Sequence, residues 1–326
     1  MAARAPGVWL CLLLATTACT PEDEWHTVFE DLPAGLLSVW GRSSTDVYAV
    51  GGDDGEGPLV LHFDGSGWER LHTGARGDLW WVNGAPGGPI FMGGTGGLIL
   101  RYEAGAFTRM DTPGDGTVFG IWAASATDAW AVGGRFDRAG FAWRWDGVAW
   151  TALDVPELGE RGLFKVWGTS ADDVLLVGAG GAMLRWDGTA LQPIAAGTSR
   201  TLFTVHAVGG EAAAVGGAGT GTVVARAGGG EFRDVTPEAA PQMFGVWLTG
   251  DGGGYAVGVN GAMLRRDAGV WQTYEPEIPF VQAFHAVWVD ETGSAWAVGG
   301  AVLASPLSDG MIVRSGRPIP TGSFRP

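Results

Sequence analysis

At 326 residues the chain is long for a single core, and no linker or low-complexity tract divides it, so a repeat or a closed barrel has to account for its length. Hydrophobic residues make up 46%, which excludes a disordered chain, and 57 Gly with 17 Trp fits an all-β fold of many tight turns and aromatic strands. The net charge of -15, with Lys165 the single lysine, argues against a nucleic-acid or anionic-membrane surface and fits a cationic ligand or basic partner better, though acidity also simply keeps an exported protein soluble.

In chain order, the first element is a processing signal at 1-18. Arg4 supplies a short positive region, Val8 to Ala15 an apolar run, and Thr16-Thr17-Ala18 small residues before Cys19. The apolar run is too short for a permanent membrane helix. LLLATTAC resembles a bacterial lipobox, with Thr16 where Leu, Val or Ile is usual. That resemblance implies lipidation at Cys19, followed by a short acidic tether at 19-24. Ordinary cleavage after Ala18 is the alternative. Cys11 leaves with the leader, so the folded body has neither disulfide nor thiolate chemistry.

From residue 25 to 316 a single frame recurs seven times. LFKVWGTSADDVLLVGAGGAMLRWDG (Leu163 to Gly188) aligns without a gap on LWWVNGAPGGPIFMGGTGGLILRYEA (Leu79 to Ala104). The first anchor is Trp40, Asn83, Trp122, Trp167, His206, Trp247 and Trp288, at spacings of 39 to 45 residues. The second is Val50, Gly93, Val132, Val177, Val215, Val257 and Val298; the third is His62, Arg101, Arg144, Arg185, Arg226, Arg265 and Arg314. Each unit reads as four short strands with a D-G hairpin before the last, the requirement for a propeller blade. After Arg314 the Pro-rich tail at 317-326 cannot supply a fourth strand. Trp25-His26-Thr27-Val28 matches Trp68-Glu69-Arg70-Leu71 in motif and in its distance to the next anchor. The spacing predicts a seven-bladed β-propeller of four antiparallel strands per blade, its last blade closed by the N-terminal strand.

VWGRSSTDVYAVGG, IWAASATDAWAVGG and VWGTSADDVLLVGAGG resemble repeats common in exported proteins of myxobacteria and related Gram-negative bacteria. These are similar to BNR-type and photosystem II assembly-factor-type propellers. The resemblance implies fold and an exported setting, since propellers host many unrelated activities. With the lipobox it implies an outer-membrane lipoprotein, or otherwise a periplasmic or secreted protein.

No catalytic constellation stands out. Sialidase-like propellers use an Arg cluster and a Tyr–Glu pair, but Tyr48, Tyr102 and Tyr255 occupy ordinary repeat positions. The Arg row is expected to pair within blades to turn carboxylates such as Asp46, Asp128 and Asp173, because an unpaired buried Arg is costly. The five His show no metal spacing, and no cofactor is expected.

What differs between blades is the distance from second to third anchor: 12, 8, 12, 8, 11, 8 and 16. Blades one, three, five and seven therefore carry insertions on the face that also receives the connections between blades. The expected binding loops are Asp53, Asp54 and Glu56 in blade one, Phe136, Asp137 and Arg138 in blade three, and Leu303 and Leu307 in blade seven. The leading expectation is a non-enzymatic envelope protein binding a protein or glycan there. The alternatives are a carbohydrate-active enzyme, with Asp137 or Glu160 as acid and base, and a purely structural repeat.

Overall fold

The computed structural model describes residues 24–85, 87–135, 138–159, 161–278 and 282–323. Cys19, Phe136, Asp137 and Glu160 lie outside the described residues.

Seven four-stranded antiparallel sheets surround one axis. The first strand of each blade lies innermost, and it packs against the first strands of both neighbouring blades all round the ring. Blade seven is assembled from both ends of the chain: Trp25–Leu32 pairs antiparallel with Ser308–Ser315, with His26 opposite Arg314. The predicted closure is thus the observed one, and it covers an edge that would otherwise present unpaired backbone groups. Trp25 is buried, and its Nε1 donates to the Tyr274 hydroxyl at 3.1 Å, tying the closing strand to blade six.

Sterics explain the repeated motifs. In V-W-G, the glycine makes room for the tryptophan of the preceding blade: a Cβ on Gly168 would lie 2.4 Å from Trp122, and one on Gly41 2.7 Å from Trp288. In A-V-G, the glycine lies where the second strand meets the start of the first. A Cβ on Gly51, Gly133, Gly216 or Gly299 would approach a carbonyl oxygen of the inner strand or its lead-in to between 1.9 and 2.1 Å.

The Arg row behaves as structural pairing in four blades. His62 meets Asp46 at 2.8 Å, Arg144 forks onto Asp128, Arg185 meets Asp173 at 2.7 Å and Arg314 reaches Asp290 at 3.4 Å. Two blades differ. Arg101 pairs with Glu103 on its own strand, and Arg226 sits over the Phe232 ring. These side chains rise from the third strand, away from the axis.

The insertions take two forms. In blades three and five they lengthen the hairpin itself, so that Arg135 pairs with Arg138 and Ala218 with Thr220. In blades one and seven they form true loops, at 54–57 and 302–307.

Candidate functional site

Every inner strand carries a register shift near its start, which leaves one extra residue unpaired. A β-bulge of this kind re-aims the extra side chain. The seven extra positions fall three residues before the first anchor: Leu37, Trp80, Phe119, Phe164, Phe203, Phe244 and, beside its own blade's shift, His285. Six of the seven are aromatic, and they touch in sequence around the axis. Ring centroids lie 4.9 Å apart for Trp80–Phe119, 5.6 Å for Phe119–Phe164, 5.7 Å for Phe164–Phe203 and 5.3 Å for Phe203–Phe244. Phe244 stacks on His285 at 5.8 Å, and His285 meets Trp80 at 6.0 Å, completing the circle above Leu37.

This ring walls a funnel of about 320 Å³ on the loop face, with Lys165, Thr204 and Gln242 as further polar lining and Val302 and Leu303 at its side. The funnel is blind. Beneath it Trp40, Trp81, Asn83, Trp167, His206 and Trp247 close the axis around a void of only about 10 Å³, about the least that admits one water. Larger hollows of about 600 and 530 Å³ lie between blades two and three and on the turn face. Both are shallow and are lined mostly by residues of the repeat itself.

Polar groups along the axis are committed to neighbouring blades. Asn83 Oδ1 accepts the Ala123 amide at 2.9 Å, and His206 Nδ1 accepts that of Leu248 at 3.1 Å. His285 Nδ1 donates to Leu37 O at 2.6 Å, which fixes its tautomer. Burial lowers His206 to about 3 and His285 to about 4, so both rings are neutral near pH 7.

Lys165 is the exception in character. Its Nζ is buried, donates to Phe119 O at 2.9 Å and lies 3.1 Å from the centroid of Trp81. Reaching from blade four past blade three to blade two is possible because blade three has Gly120 in between; a Cβ there would meet the Lys165 backbone at 3.0 Å. Desolvation pushes the amine well below the ordinary lysine value.

The expected loop residues divide. Leu303 is 66% exposed and lines the funnel. Leu307 packs with Leu37 and Val302 beside it, and against Gly52 of the blade-one loop. Asp53 and Asp54 are turned inward to their own loop. Asp53 accepts the amides of Gly55, Gly57 and Gly77, and the Gly77 amide does most to lower its pKa. Asp54 takes a two-pronged bond from Arg70 at 2.7 and 2.9 Å, which lowers its pKa. Glu56 is exposed, 4.0 Å from Arg70. Arg138 opens the third strand of blade three. No carboxylate is among the described residues lining the funnel, and among the described residues no cluster of His, Cys, Asp or Glu is placed to hold a metal.

The aromatic ring and Lys165 were not among the residues expected from sequence. The signal was present: six of seven blades place an aromatic at one frame position, and the chain's only lysine follows one of them.

No protein-family model and no curated protein matches this sequence. Solved propellers do. YCF48 from Cyanidioschyzon merolae superposes with a TM-score of 0.67 at 16% identity, covering 90% of this chain and 98% of that one. A structure of YCF48 bound to D1 peptide gives 0.66 at 16% identity over 90% and 97%. Streptogramin B lyase gives 0.69 at 14% identity over 88% and 96%. A binding protein and an enzyme thus lie at similar distance, so the likeness establishes the propeller fold and leaves function to the site.

Proposed function

We propose that this propeller binds a polypeptide partner on its loop face, with the aromatic funnel as the anchor pocket. The observation that carries this reading is the ring of six touching aromatics around a blind apolar funnel beside the exposed Leu303. Burying an apolar side chain against such walls contributes roughly 1.5–3 kcal/mol, and a rigid aromatic pocket is the usual form of an interface hot spot. A glycan fits less well, because its hydroxyls need partners and, among the described residues, the polar lining is limited to Lys165, Thr204, Gln242 and His285. That the solved YCF48 propeller takes a D1 peptide supports a peptide reading for this fold. We place the protein at a bacterial envelope, tethered through Cys19, on the leader resemblance alone.

The test is retention of peptides from a random pool on immobilised protein, followed by affinity measurement of those retained. Phe203→Ala, at a half-buried position in the ring, is expected to weaken them by roughly tenfold or more, about 1.4 kcal/mol. Wild-type affinity in both Phe203→Ala and Leu303→Ser would overturn the funnel as the anchor.

A further inference from the structure

Lys165 has no structural need to be a lysine. In the next blade the corresponding residue, Thr204, also ties its strand to a neighbouring inner strand, but to that of the following blade, its hydroxyl donating to Phe244 O at 2.5 Å. The other buried cations are matched: Arg266 forks onto Glu211, and Arg314 reaches Asp290. Among the described residues no carboxylate pairs with Lys165. An ammonium carries three N–H donors. Phe119 O takes one and the Trp81 face lies against the amine, and the lysine is also one of the residues that line the funnel.

We propose that the funnel captures the free C-terminal carboxylate of a peptide whose last side chain is apolar, with Lys165 as the counter-ion. This rests on reading the funnel as a peptide site, and it names which part of the peptide enters. The blind floor is the first reason. An internal segment would have to enter and leave through one mouth, whereas a chain end can simply stop there. Charge is the second: a carboxylate stabilises the ammonium form of a buried lysine whereas an amino terminus would set a second cation beside it, and in low dielectric the opposite-charge pairing is strong. The third is the ring itself, whose rings contact the terminal side chain while the carboxylate meets the amine. Burial disfavours the charged amine in the empty pocket, and an entering carboxylate would favour it.

The experiment uses two random octapeptide pools, identical except that one ends in a free acid and the other in an amide. Peptides retained by the full chain are identified by mass spectrometry. Retention of the free-acid pool at least about tenfold over the amide pool, with apolar residues enriched at the last position, is the expected result. Equal retention of both pools overturns the carboxylate inference and leaves peptide binding standing; retention of neither overturns both. Lys165→Met is expected to erase the acid preference and Lys165→Arg to keep part of it, with thermal unfolding as the check on folding. If Lys165→Met does not fold, the acid-against-amide comparison on the wild-type chain decides alone. 3-Phenylpropionate is the competitor for a small-molecule source. Binding as tight as the best peptides would make the ligand a small apolar acid and overturn the peptide assignment.

Discussion

Individual axial residues show how one frame position does different work in different blades. Asn83 and His206 both stand where five blades have tryptophan, and each accepts one backbone amide of the following blade. The difference is that histidine titrates. Its folded pKa of about 3 lies below its ordinary 6.5, so between those values the unfolded chain holds a proton that the folded chain does not. Stability is therefore full above about pH 6.5 and falls as pH drops through the window, by up to about 1.4 kcal/mol per pH unit. His285, at about 4, acts in the same direction over a narrower range. His206→Asn keeps an acceptor and removes the titration. Urea midpoints measured from pH 7 to 4 should then fall less steeply, by about one proton. An unchanged slope would show that His206 is not held neutral.

At the scale of the strand, the glycine after A-V shows why the blade motif is so constant. It is a site of close approach, because the bulged start of the inner strand brings a carbonyl over the second strand. At Gly216 an added Cβ would sit 1.9 Å from Thr201 O. Gly216→Ala must move backbone rather than a flexible side-chain end, and a destabilisation of roughly 1–3 kcal/mol is expected. Chemical unfolding measures it, and a variant as stable as wild type would mean that the bulge adapts freely. The same bulge hides the aromatic ring from a sequence reading. A regular strand alternates its faces, so the aromatic at the bulge reads as one more half-buried strand residue. Only the irregular register turns it toward the axis.

For the molecule as a whole, the ring is cooperative because one blade is shared between the chain ends. Removing Trp25–Leu32 strips the outer strand from blade seven, exposes its edge and breaks the Trp25–Tyr274 contact with blade six. Trp25→Ala alone should cost about 3–5 kcal/mol, as large truncations in a packed core do. The full deletion should abolish a single cooperative transition in calorimetry. Unaltered melting of the deletion would falsify closure by the N-terminal strand.

The sequence by itself determined the blade count, the order of strands, the closure across the ends and which blades carry insertions. Each of these is a statement about spacing, and seven copies of one frame make spacing legible. It also pointed to Leu303 and Leu307 as binding-loop candidates through the longest insertion, and the structure sets Leu303 at the funnel. The tertiary structure alone decided that Asp53 and Asp54 serve their own loop, and that the insertions of blades three and five become longer hairpins. It alone brought the ring together, from positions near 37 to positions near 285, around a lysine whose partners Phe119 and Trp81 lie on the inner strands of the two preceding blades. The physical reason is that a repeat encodes each blade locally, whereas an axial site exists only where all seven blades converge.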